Sequence, residues 1–341
     1  MPVPEIEALA WVQRLESLGF AIQEYVSQLL TDGTPGLHLA VAEQGGDTVY
    51  AIDRYVEPIV EKHIELWGHE CRPLLLIAEG MGVDGRRRFG SERDELRYRV
   101  IIDPIDGTRG LMYDKRSAWF LAAVAKDRGE QTGLQDTFAS VMIELPTSKQ
   151  HLCDSISAIA GNPTLLKRTR IGGAEPIRRV VSPSTSTGLA GGFGQVVSFF
   201  QGTKGLAAEL METIAAELIP PGTTSQSAVL DDQYISTGGQ MAELILGHDR
   251  FCCDLRPLMY QIQRRNGPFR APELVCHPYD AAGLLTALQS GVIITDGFGR
   301  NLDAALDVFQ PVHWCGYANA ELQSRIEPII QRWLRGYGVT P

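Results

Sequence analysis

The sequence predicts a protein of the α+β or α/β class built from two domains, and three observations support this fold class. The chain has 341 residues, which is more than one ordinary hydrophobic core holds. Hydrophobic residues make up 44% of the chain and charged residues 21%, as in ordinary globular proteins. Strand-like and helix-like segments alternate after about residue 178. Such alternation is typical of helices that cover a β-sheet.

The elements of the first half follow from hydrophobic periodicity. Apolar residues recur at helical spacing over residues 4–30, which predicts an amphipathic helix. A second helix is expected over residues 48–67, started or kinked near Pro58. A Gly- and Arg-rich loop is expected through Arg88. The predicted strands of this half are PLLLIAEG at 73–80, the apolar run 100–102 and SAWFLAAVAKD at 117–127.

The amino-acid composition changes where the second half begins. The segment from Arg178 onward, RRVVSPSTSTGLAGGFG, is rich in Ser, Thr and Gly and is the best candidate for a domain junction. We therefore predict domains over residues 1–178 and 179–341. The elements predicted after the junction are strands over 196–200, 250–255 and 292–297, and helices over 205–219, 238–247 and 280–291.

Charge and composition exclude several classes of partner. The formal net charge of −10 argues against a nucleic acid polymer, because binding to a phosphate backbone needs a basic face. No apolar stretch approaches the roughly 20 residues of a membrane span, and the N-terminus lacks the pattern of a signal peptide. The six cysteines show no CxxC spacing, which indicates reduced thiols in a cytoplasmic protein.

The segment YRVIIDPIDGTRGLMY (98–113) carries the strongest chemical signal. Asp103 ends a predicted buried strand, and Asp106 follows three residues later. Two carboxylates this close repel each other unless a cation lies between them. A hard ion such as Mg²⁺ takes oxygen ligands of this kind, and free amides at a helix start at Gly107-Thr108 would hold an anion beside it. A metal next to an anion site indicates phosphate chemistry.

Three further acidic residues lie at the ends of predicted elements, namely Asp53, Glu79 and Asp280. Together with the segment DPIDGT, this set resembles the inositol monophosphatase family, within the lithium-sensitive, Mg²⁺-dependent phosphatases that include fructose-1,6-bisphosphatase. The family motif D-P-[IL]-D-G-[TS] is unbroken at 103–108. The second motif, W-D-x-A-[GA], is present at 279–283 with Tyr in place of Trp. The family's G-E-E element is reduced to Ala-Glu-Gly at 78–80.

The resemblance implies a layered αβαβα sandwich, two or three Mg²⁺ ions, inhibition by lithium and a homodimer. A first metal would be held by Glu79, Asp103 and the carbonyl of Ile105. A second would be held by Asp103, Asp106 and Asp280, and a third, looser one would depend on Glu79 and water.

The resemblance also implies the roles of the remaining site residues. Asp53 and Thr108 would orient and deprotonate the attacking water, with Glu79 in the same catalytic group. Phosphate oxygens would bind the amides of Gly107 and Thr108. The remaining substrate contacts implied by the resemblance are Ser236, Glu273 and Asp280.

Two segments depart from the family pattern. A long insertion lies between Phe251 and Asp280, and its arginines either recognise a second anionic group, cover a subunit interface or are solvated. These arginines are Arg256, Arg264, Arg265 and Arg270. The basic loop 82–89 either covers the site or is an ordinary exposed loop.

Simpler interpretations of the acidic residues stay open at this point. Asp103, Asp106 and Asp280 are also plausible helix caps, as is Thr108. Glu79 and Asp53 are also plausible solvated carboxylates. The predicted function is a Mg²⁺-dependent phosphomonoesterase acting on a small phosphorylated polyol, sugar or nucleotide. The alternatives are a phosphatase specific for bisphosphates, and a catalytically weak relative that acts as a binding or regulatory protein.

Overall fold

The computed structural model describes residues 3–44, 47–81, 84–171, 173, 175–219, 228–265, 267 and 273–341. In this part of the chain, no helix combines the length and the apolar character that crossing a lipid bilayer requires. All six cysteines lie in the described ranges, where they are buried and form no disulfide bond.

Two helices and a hairpin form the N-terminal part of the fold. Helix α1 spans Glu5–Thr31, and helix α2 spans Ala51–Leu66. Strands β1 (Ala40–Gln44) and β2 (Asp47–Tyr50) pair antiparallel between them. Pro58 lies inside α2, so the prediction that this helix starts near Pro58 is wrong. The buried residues of α2 recur every four positions, and this apolar stripe holds the helix against the sheet.

A large sheet of eight strands follows, in the order β10-β9-β8-β7-β6-β5-β3-β4. Only β3 and β5 pair in parallel, and the other neighbours are antiparallel. The strands are β3 Leu74–Ala78, β4 Arg86–Phe89, β5 Tyr98–Asp106, β6 Ala118–Lys126, β7 Thr137–Leu145, β8 Leu152–Ile159, β9 Leu165–Arg170 and β10 Ile177–Val180.

The basic segment 82–89 is not the loop that the sequence predicts. Strand β4 takes up residues 86–89 and pairs antiparallel with β3, while Gly82 lies outside the described residues. Its arginines have no marked β-propensity, but the edge of β3 supplies backbone hydrogen-bond partners that decide the local structure. The strand carries its guanidinium groups half-buried at the edge of the sheet.

The second half forms a smaller sheet of four strands, in the order β11-β12-β14-β13. The strands are β11 Phe193–Val196, β12 Asp249–Asp254, β13 Ile293–Thr295 and β14 Trp314–Tyr317. The helices of this half are α4 Lys204–Leu218, α5 Thr237–Ile245, α6 Arg256–Arg265, α7 Leu284–Ser290 and α8 Ala320–Gly336. Helices α6 and α8 do not appear among the elements predicted from the sequence.

Three hydrophobic cores define the layers. The first lies between α1, α2 and one face of the large sheet. The second lies between the other face of that sheet, α5, α7 and the small sheet. The third lies between the small sheet and α4, α6 and α8. The order of layers is therefore αβαβα, and the predicted fold class is confirmed. The domain boundary after residue 178 stays a prediction.

Candidate active site

A cleft of about 580 Å³ gathers most of the residues singled out from the sequence. The predicted site residues that line it are Asp53, Glu79, Asp103, Ile105, Asp106, Gly107, Thr108, Ser236 and Asp280. They come from α2, from the ends of β3 and β5, and from the starts of α5 and α7. Segments that are distant in the sequence therefore meet at one place in the fold.

An irregularity in β5 brings Asp103 and Asp106 to one face of the large sheet. In regular alternation, residues three apart point to opposite faces. Here Asp103 lies opposite Leu121 and Asp106 opposite Trp119, so β5 contains one extra residue between them, a β-bulge. Ile101 belongs to the second core, whereas Ile105 belongs to the first, which shows that the alternation changes phase across the bulge. The proline at 104 suits this position because it has no N–H for the ladder.

The two aspartates and Asp280 form a compact group of oxygen donors. One carboxylate oxygen from each of Asp103, Asp106 and Asp280 lies within 4.8 Å of the other two. Asp103 and Asp106 are buried, and Asp280 is half-buried. Oxygens at opposite corners of a Mg²⁺ octahedron are about 4.2 Å apart, given metal–oxygen distances of about 2.1 Å. The 4.8 Å limit on the oxygen separations is close to this span, and the chemistry of the donor set fits a hard divalent cation.

The electrostatics of the group also favour a cation. Burial, followed by the charges of Glu79, Asp106 and Asp280, holds the pKa of Asp103 well above its usual range. Burial and the neighbouring Asp280 raise the pKa of Asp106 to about 8. Burial and mutual repulsion both disfavour the ionised forms of these carboxyl groups when no positive charge lies nearby. A divalent cation between them would compensate the ionised carboxylates.

Asp106 is held in place by the start of helix α5. Its carboxylate accepts hydrogen bonds from the Ser236 hydroxyl at 2.8 Å and from the amides of Gly238 at 2.5 Å and Thr237 at 3.3 Å. Ser236 is the N-cap of α5, and its Oγ accepts a bond from the Gly239 amide at 2.8 Å. The hydroxyl proton of Ser236 is thus engaged with Asp106, so this side chain positions a carboxylate.

Asp53 and Thr108 meet next to the acidic group. The Thr108 hydroxyl lies 3.1 Å from Asp53 Oδ1 and 2.7 Å from the carbonyl oxygen of Ile105, and it donates its one proton to either. Asp53 Oδ2 accepts a hydrogen bond from the Tyr50 amide at 2.8 Å, which fixes the carboxylate at the start of α2. Similar bonding orients Asp280, whose Oδ2 accepts from the amide of His277 at 2.6 Å.

Gly107 takes a conformation that favours glycine. Its φ of +100° lies in the left-handed region, and a Cβ there would come within 3.0 Å of the Ser236 Cβ. The residue is followed by a single helical turn, α3, over Thr108–Leu111. Phosphate binding by the amides of Gly107 and Thr108 stays a prediction.

Solved structures with the same architecture come from several organisms. A hypothetical protein from Pyrococcus horikoshii with similarities for inositol-1 monophosphatase aligns over 94% of this chain and 98% of its own, at 14% identity and a TM-score of 0.62. Fructose-1,6-bisphosphatase from Leishmania major, in its holo form, aligns over 94% and 92%, at 13% identity and a TM-score of 0.65. A putative sedoheptulose-1,7 bisphosphatase from Toxoplasma gondii aligns over 97% and 95%, at 13% identity and a TM-score of 0.65.

The chain has the inositol monophosphatase-like fold. The resemblance predicted from the sequence motifs is thus confirmed at the level of the fold. No known protein-family model matches the sequence, and no curated protein matches it either.

In this inositol monophosphatase-like fold, a carboxylate that was not predicted from the sequence lies beside Glu79. Gly80 has a φ of +77°, and a Cβ there would lie 3.0 Å from Oε1 of Glu57. Glu57 is one helical turn after Asp53 on α2, and with Glu79 it lines a second, small pocket. Burial raises the pKa of Glu57, whose oxygens accept bonds from Arg54 at 2.9 and 3.0 Å. A second acidic side chain is therefore present beside Glu79, but it comes from α2.

Among the described residues, the insertion between Phe251 and Asp280 brings Val275 and one arginine to the cleft. Arg256 lines it, whereas Glu273 does not and is paired with Arg264. Arg265 donates to the carbonyl oxygen of Gly338 at 3.0 Å. Arg270 lies outside the described residues. The structure thus does not bring Glu273 to the other predicted substrate-binding residues.

The residues of the cleft that were not predicted from the sequence are Thr48, Tyr50, Arg109, Phe199, Phe200, Ile235, Thr237 and Val275. The position of Arg109 directly after DPIDGT was an available signal for one of them. The two phenylalanines follow a strand and look like ordinary core residues in the sequence.

Proposed function

We propose that the protein is a Mg²⁺-dependent phosphomonoesterase that acts on a small phosphorylated polyol, sugar or nucleotide. The observation that carries this proposal is the Asp103–Asp106–Asp280 group in a cleft that also holds the Asp53–Thr108 pair. The solved structures with this fold include a protein with similarities for inositol-1 monophosphatase, a fructose-1,6-bisphosphatase and a putative sedoheptulose-1,7 bisphosphatase, which supports the same reaction class.

The residues divide into metal ligands and a water-orienting pair. Glu79, Asp103 and the carbonyl of Ile105 would hold one Mg²⁺, and Asp103, Asp106 and Asp280 a second; a third would depend on Glu79 and water. Bound Mg²⁺ supplies a water of lowered pKa and compensates charge on the phosphate oxygens.

The protein's own part is orientation and proton transfer. The Thr108 hydroxyl would accept a proton from the attacking water at a lone pair while it passes its own proton to the Asp53 carboxylate, which ends protonated. The amides of Gly107 and Thr108 would bind phosphate oxygens. Ser236, in this proposal, acts through Asp106, since its proton is donated to that carboxylate.

The test is phosphate release from a panel of phosphomonoesters during a Mg²⁺ titration, with a chelator control. We expect hydrolysis that needs the metal and falls by several orders of magnitude in Asp103→Asn and Asp280→Asn. Asp249→Asn is a matched control, because Asp249 is a buried carboxyl group that does not line the cleft. Equal hydrolysis with and without metal would contradict the proposal.

A second readout separates catalysis from binding. Mg²⁺ that binds the folded state raises the thermal midpoint whether or not the protein turns over substrate. A metal-dependent rise without hydrolysis of any ester would favour the alternative of a binding or regulatory protein. The same proposal includes a homodimer and inhibition by Li⁺, which analytical ultracentrifugation and a Li⁺ titration would test.

A further inference from the structure

A separate cavity lies at the C-terminal end of helix α5, and its described lining shares no residue with that of the cleft. It measures about 260 Å³, the volume of about nine water molecules at about 30 Å³ each. One side is formed by β6, β7, β8 and β9 of the large sheet, and the other by α5 and the residues next to it. We call it the α5 cavity; its lining includes Glu144, Leu152, Asp154, Arg168 and Glu243.

The guanidinium groups of the α5 cavity are held by carboxylates. Nε and Nη2 of Arg168 donate to the two carboxylate oxygens of Asp154 at 2.7 and 2.6 Å. Nη1 of Arg116 donates to Asp232 at 2.7 Å, and its Nη2 lies 3.6 Å from a carboxylate oxygen of Glu243. Because both arginines already have acidic partners, the cavity is not arranged to bind an anion.

Glu144 has no such partner of opposite charge. Its Oε1 accepts a hydrogen bond from Gln150 Nε2 at 2.9 Å, and its Oε2 accepts one from the backbone amide of Asp154 at 3.1 Å. Both donors are uncharged, and no cationic side chain among the described residues forms an ion pair with Glu144. The Asp154 carboxylate and, to a smaller extent, Glu144 raise the pKa of Arg168, but the guanidinium bonds only to Asp154.

The α5 cavity therefore has an excess of negative charge. Its charged lining side chains are three carboxylates, two guanidinium groups and one imidazole: Glu144, Asp154, Glu243, Arg116, Arg168 and His248. The imidazole of His248 bonds to Glu243 at 2.6 Å, so a proton on it compensates Glu243 and not Glu144. Burial raises the pKa of Glu144, because no positive charge nearby favours the ionised form. A cation bound beside Glu144 would supply the missing charge.

Aliphatic side chains complete the lining and indicate what kind of cation fits. Leu152 is exposed at the start of β8, and Ala242 and Leu246 lie at the end of α5. Aliphatic carbons that cover such surface gain about 25 cal/mol for each Å² removed from water. A hard metal ion instead needs about six oxygen ligands and gains nothing from an apolar side. The combination of one carboxylate with aliphatic side chains favours an alkylammonium group.

We propose that the α5 cavity binds a small primary amine, whose ammonium group pairs with Glu144 and whose aliphatic part packs on Leu152 and Leu246. The ammonium group donates charge-assisted hydrogen bonds to the carboxylate oxygens, which keep lone pairs beside the two bonds they already accept. This ligand is separate from the phosphate ester proposed for the cleft, and its binding needs neither Mg²⁺ nor hydrolysis.

The test compares three compounds of equal chain length and different charge. Ligand-observed NMR titrations of the metal-free protein, at neutral pH and constant ionic strength, give dissociation constants for butylamine, butan-1-ol and butyrate. We expect butylamine to bind about 10-fold or more tightly than the other two, because hydrogen bonds to charged groups contribute on that scale. Equal dissociation constants for the three compounds, or no measurable binding of butylamine, would overturn the inference.

The substitution Glu144→Gln tests the carboxylate itself. It keeps the shape of the side chain and removes the charge, so the affinity for butylamine should fall about 10-fold. Glu327→Gln is the matched control, because Glu327 is a half-buried carboxylate outside the cavity that also accepts from uncharged donors, Thr295 at 2.6 Å and Gln323 at 3.2 Å. An unchanged affinity in Glu144→Gln, or an equal loss in both variants, contradicts the role of Glu144.

A variant of an exposed residue keeps the inference testable if Glu144→Gln does not fold. Leu152→Lys brings an ammonium group of the protein into the cavity, where it should compete with butylamine and weaken its binding. Leu165→Lys is the control, because Leu165 is an exposed leucine on β9 that does not line the cavity. Equal affinities of the two lysine variants for butylamine would show that the amine does not bind there.

Discussion

Replacing Ser236 by alanine tests whether this side chain acts through Asp106. The substitution removes two hydrogen bonds, the one that caps the Gly239 amide at 2.8 Å and the one donated to Asp106 at 2.8 Å. Loss of an N-cap costs about 1 kcal/mol. With its pKa raised to about 8, Asp106 is largely protonated at pH 7 in the metal-free protein, so the second bond contributes about 1 kcal/mol. We expect Ser236→Ala to lower the free energy of unfolding by about 2 kcal/mol.

The effect on metal binding is the diagnostic part. The Ser236 bond lowers the pKa of Asp106, so its removal makes the ionised ligand harder to form. Loss of a residue that orients a metal ligand reduces affinity by about 10- to 100-fold. Calorimetric Mg²⁺ titration at pH 7 measures this change, and urea unfolding of the metal-free protein measures the stability.

Asn319→Ala provides a control of the same kind. Asn319 caps helix α8, where its side chain accepts from the Leu322 amide at 3.0 Å, and it does not line the cleft. This variant should lose stability but bind Mg²⁺ as the wild type does. If Ser236→Ala keeps the wild-type affinity while losing only the cap contribution, the argument that Ser236 positions Asp106 is refuted.

Three further predictions concern stability and are checked by urea unfolding. Gly80→Ala should lower the free energy of unfolding by about 1–2 kcal/mol, because the φ of Gly80 is positive and the new Cβ meets Glu57. Adding Glu57→Ala should recover the part of this loss that comes from the contact. If nothing is recovered, the contact is not the cause. Burial raises the pKa of Asp249 to about 7, so the stability of the wild type should fall as pH rises from about 4 to about 7, by at most about 1.4 kcal/mol per pH unit. Asp249→Asn should flatten this slope. Parallel pH profiles of the variant and the wild type would refute the role of Asp249. Arg256→Met should lower the free energy of unfolding by about 3–5 kcal/mol, because it leaves the buried Asp254 carboxylate unpaired. Adding Asp254→Asn to the same chain should restore most of this stability. A single variant as stable as the wild type would contradict the buried ion pair.

Much of the acidic site could be predicted from the sequence because its signals are local. Asp103 and Asp106 follow an apolar strand within one short segment, and Asp280 stands just before a helix. The order of these residues along the chain was enough to place them at element ends. What brings them to one face, the bulge in β5, depends on pairing with β6 and is not encoded in the spacing alone.

The missed features depend on contacts between distant segments. Glu57 is one of several charged residues on α2, and only the nearness of Gly80 distinguishes it. The Arg-rich strand β4 forms because β3 offers an edge, which overrides local propensity. Phe199 and Phe200 resemble core residues until the fold leaves them half-exposed in the cleft. In each case the tertiary environment decides what the local sequence leaves open.

Substitutions in the second hydrophobic core are expected to change the geometry of the cleft without contacting it. Met142 of this core touches α7, since its Sδ lies 2.8 Å from the Thr286 hydroxyl. Helix α7 begins four residues after Asp280, while Asp106 ends strand β5 of the large sheet. Interiors packed as tightly as organic crystals pass on changes in volume. Directed evolution of the protein toward a different metal ion should therefore also vary residues of the second hydrophobic core, which lie several residues away from any ligand atom.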